Sequence, residues 1–150
     1  MGMALFNSSM EWERAGILAC AVGAMQRQLE ACVKYAKVRK QFGQPIGKFQ
    51  SVSNKIADMY LRMEASRMLI YKVAWLKQQG KPAIAEAAAA KLYTSEAWVK
   101  NGLEAIQIHG AFGYMSDSEV ERDLRDSLGG TIYSGTSEIQ RLIIARDLGL

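Results

Sequence analysis

The chain has 150 residues, 49% of them hydrophobic and 23% charged, with a net charge of +4. That is enough chain for one buried core, and the apolar runs are too short for a membrane span. Only two prolines, and an abundance of Ala, Leu, Met, Lys, Glu and Gln, favour helix throughout.

The opening stretch MGMALFNSSMEWER has no basic segment leading into an apolar run, so no secretory signal is expected. Ser8 and Glu11 have the spacing of a capping box. From there to about Lys40, apolar residues recur at helical spacing: Ile17, Ala21, Met25, Leu29, Cys32 and Ala36. Cys20 and Cys32 fall on this one helix, roughly 18 Å apart, beyond disulfide reach. They read as reduced thiols, which fits a cytoplasmic setting. The basic run Lys34, Lys37, Arg39 and Lys40 reads first as a solvated helix face, then as a contact for an anionic cofactor. Without interleaved aromatics it does not point to nucleic acid.

FGQPIG, residues 42–47, breaks the helix with two glycines and a proline. A second helix is predicted from about Phe49 to Gln79, striped by Val52, Ile56, Met59, Met63, Met68, Leu69, Val73 and Leu76. Gly80 to Pro82 ends it, with Pro82 suited to the first turn of an Ala-rich third helix that ends near His109 or Gly110. A short helix is predicted over Asp117–Ser127 and a last one over about Thr136–Asp147, with no strand of any length. Short connections make the long helices antiparallel neighbours. The expected fold is all-α: an up-and-down antiparallel four-helix bundle of long helices with a short extra helix.

Separate chemical signals are weak. His109 is the only histidine, and a lone histidine at a helix end is usually a packed side chain. No Cys/His cluster suits a metal, and no glycine-rich phosphate loop follows a strand. In order, however, YAKVRKQFGQPIGKFQSVSNKIADM (35–59), AIQIHGAFGY (105–114), ERDLRDS and IYSGTSEIQRLIIAR (132–146) resemble the acyl-CoA dehydrogenases in their C-terminal helical domain. The resemblance runs from about Glu11 to Leu148. It implies that residues 1–150 form that one domain, with the family's N-terminal helical and middle β domains lying outside this chain.

The resemblance also implies FAD as cofactor and α,β-dehydrogenation of an acyl thioester. A base takes the α-proton and the β-hydrogen leaves as hydride to flavin N5. The implied partners are an acyl-CoA or a carrier-protein-bound acyl group, an electron-transfer flavoprotein or other acceptor, and further copies in a homodimer or homotetramer. Fatty acid metabolism is the implied setting, and the domain alone is expected to be inactive. By the family pattern, Arg39 meets the FAD pyrophosphate of a neighbouring subunit and Phe42 packs on that cofactor. Gln107 and the backbone around Gly110 and Ala111 contact the neighbour's adenosine-side phosphates. Thr136, at the start of the last helix, holds the FAD of its own subunit. The next contact, often Gln in the family, is Glu138 here.

The pattern's usual catalytic glutamate, between Tyr and Gly in the Y-x-G-T turn, is replaced by Ser134, and a serine alone cannot take an α-proton. Some members carry the acid on the first helix of this domain instead, immediately before an arginine. That places the base at Glu13, before Arg14, where apolar surroundings would strengthen it once water is excluded. Tyr133 and Ser134 are the expected substrate-pocket residues. Arg14 is expected to pair with Asp126 or another bundle carboxylate. Two other readings compete: a dehydrogenase of carrier-bound acyl groups in polyketide or nonribosomal-peptide synthesis, and a helical assembly module that has lost catalysis with its glutamate.

Overall fold

The computed structural model describes residues 2–150. Its elements in chain order are α1 (Gly2–Gly16), α2 (Ala19–Val38), β1 (Lys40–Gln41), β2 (Gln44–Pro45), α3 (Gln50–Gln78), α4 (Ile84–His109), α5 (Ala111–Tyr114), α6 (Val120–Gly130) and α7 (Ser137–Asp147). The expected all-α bundle is what forms, with α4 at its centre, packed against α1, α2, α3, α6 and α7.

The alanines explain why α4 can be the hub. Ala87, Ala88 and Ala90 are fully buried and let neighbouring helices come close without losing helix propensity. Gly102 does the same for α6: a Cβ there would sit 3.1 Å from the Leu124 backbone. Ion pairs Lys55–Glu104 and Lys72–Glu86, at opposite ends of the contact, show that α3 and α4 run antiparallel. Such partly exposed pairs fix register more than they add stability. Leu18, Met25, Cys32, Met59, Met63, Val73 and Trp98 fill the core between α2, α3 and α4. Burial pushes the Cys32 thiol up to about 12, so it is inert, and both cysteines are free.

Three local expectations are corrected. The helix predicted from Ser8 to Lys40 starts at Gly2 and breaks after Gly16, and Leu18 at the break is wholly buried. Apolar spacing continues across the break, so periodicity conceals it, while a glycine costs a helix about 1 kcal/mol. Ser8 therefore lies inside α1 and caps nothing. Glu11 instead reaches across the fold, accepting from the Ala83 amide at 2.7 Å and from Lys77 Nζ at 2.5 Å. It thus closes the turn between α3 and α4. Finally, a strand does exist: Lys40 pairs with Pro45 and Gln41 with Gln44 in a minimal antiparallel hairpin.

Among the described residues, no helix is long and apolar enough to cross a membrane and no cluster of His, Cys, Asp and Glu could hold a metal ion.

Candidate active site

The chain brings its expected site residues together in two places. The first lies where the end of α1 meets the turn between α6 and α7. Ser134 has φ of 55° and Gly135 of 92°. This left-handed step lets the chain reverse into α7, and the Ser137 amide closes the turn on the Thr131 carbonyl at 3.1 Å. Gln140, one turn into α7 and wholly buried, donates from Nε2 to the carbonyls of Ser134 (3.2 Å) and Gly135 (2.8 Å). A Cβ on Gly135 would lie 2.8 Å from that same nitrogen, so only glycine fits.

The fixed turn aims the Ser134 hydroxyl at α1. Its Oγ donates to Glu13 Oε1 at 2.5 Å, across 121 residues of sequence. Glu13 is exposed on this chain, so the dry surroundings a strong carboxylate base needs are not supplied by these residues. Arg14, expected to pair with Asp126 or another bundle carboxylate, makes no close ion pair among the described residues. Its Nε is buried without a partner, burial disfavours its charge, and the carboxylates that offset this are Glu11 and Glu13. Asp126 is exposed, and Arg27 instead pairs with Asp123 to tie α2 to α6.

Thr136 occupies the N-cap position of α7 without making a side-chain cap. The Glu138 carboxylate takes the free donors instead. Its own backbone N–H, then the Thr136 hydroxyl, hold it below the usual carboxylate range and therefore charged at neutral pH. Tyr133 turns inward, its ring packed on the core and within van der Waals reach of any side chain at Gly129 or Gly130. Burial raises its phenol.

The second place lies at the C-terminal ends of α2 and α4. Arg39, Gly110 and Ala111 line one groove of about 660 Å³, walled by Tyr35, His109 and Phe112. His109 is buried, its Nδ1 2.8 Å from the Ala105 carbonyl and its ring 4.4 Å from that of Tyr35, so it is a packed side chain. Gln107 is exposed on the last turn of α4 and does not line the groove. The Arg39 side chain has no hydrogen bond or ion pair among the described residues; its backbone N–H caps α2 on Tyr35. Phe42 stands at the tip of the hairpin, 92% exposed, with φ of 50° followed by Gly43 at 82°. This is a two-residue reverse turn of the kind that hairpin twist favours, with an aromatic where Asn or Gly is usual.

Sequence reasoning missed Gln140, Lys91 and the aromatic wall. A glutamine four residues into a helix that follows a glycine turn is a usable signal for the first. Lys91 gives none: it is wholly buried in the middle of α4, its Nζ without a partner. Burial depresses its ammonium, Glu138 and Glu96 support it, and Arg14 opposes it.

Comparison with known proteins adds a second line of support. The family described as "Acyl-CoA dehydrogenase, C-terminal domain" matches residues 1–149. L-prolyl-(peptidyl-carrier protein) dehydrogenase of Pseudomonas fluorescens is 45% identical over 149 residues, 99% of this chain and 39% of that protein. Probable acyl-CoA dehydrogenase YngJ of Bacillus subtilis is 48% identical over 147 residues, 98% of this chain and 39% of that protein. Among solved structures, the prolyl acyl carrier protein oxidase AnaB superposes with a TM-score of 0.98 at 58% identity, covering 99% of this chain and 39% of that one. The chain thus spans about two fifths of the length of the relatives it matches.

Proposed function

The chain belongs to the acyl-CoA dehydrogenase family as its C-terminal domain, and on that premise we propose that it serves an FAD-dependent enzyme that desaturates an acyl thioester between its α and β carbons. The observation that carries this reading is the Glu13–Ser134 contact. The turn that lacks an acid is joined directly to a carboxylate from another helix, so one locus still offers a base. That favours catalysis over a purely structural bundle.

The chain's residues fit FAD in part by their own chemistry. Arg39, an unpaired guanidinium beside an aromatic-walled groove with the Gly110 backbone at its edge, suits a diphosphate next to a planar ring. Phe42, held out in solvent at a conformational cost, is placed to pack on a surface brought by another subunit. Gln107 is the outermost contact of this set. At the other place the Thr136 hydroxyl meets the cofactor of the same subunit by exchanging the Glu138 carboxylate for it. Glu138 does not suit a phosphate: it is charged, so it accepts from a ribose hydroxyl or an adenine amine.

In the reaction Glu13 accepts the α-proton, Ser134 lies beside it, and α7 holds the turn in place. FAD, when bound, supplies the acceptor for the β-hydride. Oligomer contacts cover Tyr60, Leu61, Met68, Tyr71 and Trp75, apolar side chains left exposed along α3. The partners are then a homodimer or homotetramer, an acyl thioester, and an electron-transfer flavoprotein or other acceptor in the cytoplasm. A second reading has a specific support. The 58% identity to a prolyl carrier-protein oxidase, above the 48% to a probable acyl-CoA dehydrogenase, favours a carrier-bound acyl group over coenzyme A.

The test uses the FAD-loaded enzyme that contains this domain. Mixed anaerobically with carrier-bound and CoA-bound acyl thioesters, it should bleach its flavin. Glu13→Gln should slow bleaching about 1000-fold at unchanged FAD content, the size of a lost general base. Bleaching by Glu13→Gln at the parent rate would overturn the assignment.

A further inference from the structure

We propose that Ser134 is a positioning residue for the base: its hydroxyl holds the Glu13 carboxylate by one oxygen and leaves the other to meet the α-proton. This deepens the reading just given and rests on it. A glutamate near the end of an exposed helix has several rotatable bonds and no reason to keep one orientation. Here Glu13 sits in the last turn of α1, and among the described residues the Ser134 hydroxyl is its one side-chain hydrogen-bond partner.

The strength of such a contact depends on how firmly the donor is held, and Ser134 is held unusually well. Its backbone is in the left-handed region, which a serine adopts only when the surroundings impose it. What imposes it is visible. Gln140 takes the carbonyls of residues 134 and 135 with one buried amide nitrogen. Gly135 leaves no room for a side chain between them, and Ser137 closes the turn on Thr131. A chain of fixed contacts therefore runs from the core through Gln140 and the turn to Oγ, and ends on Glu13 Oε1. An ionised carboxylate only accepts, so the serine donates. Serine is not itself the base, because a neutral hydroxyl holds an added proton far too weakly, whereas the Glu13 carboxylate can keep it. The outcome is a split function: the acid comes from α1, and its aim comes from the turn.

The test compares Ser134→Ala and Ser134→Gly with the parent and with Glu13→Gln, all in the FAD-loaded enzyme. Glycine removes the hydroxyl while suiting the backbone, so a fold defect cannot explain its effect. Both variants should reduce flavin about tenfold more slowly, the scale of one hydrogen bond to a charged group. KM and FAD content should be unchanged, and the α-deuterium isotope effect should rise as proton removal becomes more limiting. Exchange of the α-proton with solvent deuterium should fall in parallel. Unchanged rates and isotope effects in both variants, with Glu13→Gln still dead, would overturn the positioning role and leave Glu13 as base. Slowing by alanine but not by glycine would overturn it too, since strain and not the hydroxyl would then be responsible. Parent-like bleaching by Glu13→Gln would overturn the base assignment and this inference with it.

Discussion

Phe42–Gly43 and Ser134–Gly135 are each a non-glycine residue in left-handed backbone followed by a glycine that is left-handed as well, with φ of 50° and 82° in the first and 55° and 92° in the second. Around the second, Gln140 holds the carbonyls of both residues, the Ser137 amide closes on Thr131, and the Ser134 side chain meets Glu13. Around the first, the two-residue hairpin holds the backbone, and the Phe42 ring has only an edge contact with Phe49, 6.1 Å between centroids. The difference separates a turn locked by its own chain from a turn whose aromatic few contacts hold. Left-handed backbone alone marks neither: Glu119 has φ of 59° before α6 and belongs to no site.

If that contrast is right, changes at the inner turn should cost folding and changes at the outer turn should cost binding. Gly135→Ala should have the largest effect, lowering the chain's stability by about 3 kcal/mol in urea denaturation. The added methyl meets Gln140 Nε2 at 2.8 Å on a backbone that disfavours it. A loss below about 1 kcal/mol would mean the turn is looser than its contacts imply. Arg39→Ala should leave stability nearly unchanged and weaken FAD retention by roughly 2 kcal/mol, the loss of one charge-assisted contact. Ultrafiltration of the loaded enzyme measures it, and unaltered retention would remove Arg39 from the cofactor. The smallest effect is expected from Phe42→Asn, which relieves strain and should raise stability by about 0.5–1 kcal/mol while weakening FAD binding. Destabilisation instead would make the Phe49 contact structural.

Much of this was legible in the sequence, and the omissions have a common cause. The helices follow from apolar spacing, and the ends of α3 and α4 follow from Gly80, Pro82 and Gly110. Ser134, Arg39 and Gly110 stood out because they lie within ordered motifs, and Glu13 because it stands just before Arg14 on the first helix. The Glu11 contact with Ala83 joins residues 72 apart, and no local pattern announces it. The break after Gly16 is hidden because Leu18 continues the apolar rhythm across the turn at residues 17–18. Lys91 looks like an ordinary helix residue, and only packing shows that it is wholly buried. Phe42 carries the motif, but its strain appears only in its dihedral angle.

The most direct test of the central claim, that Glu13 on α1 and position 134 on the turn, whose side-chain oxygens lie 2.5 Å apart, serve the same substrate proton, is to move the acid. Flavin reduction would be followed in the FAD-loaded enzyme carrying Glu13→Gln together with Ser134→Glu. The account predicts that the double variant recovers a substantial part of the rate lost in Glu13→Gln alone. A double variant that keeps its FAD and fold yet reduces flavin no faster than Glu13→Gln would show that the two positions do not share a target.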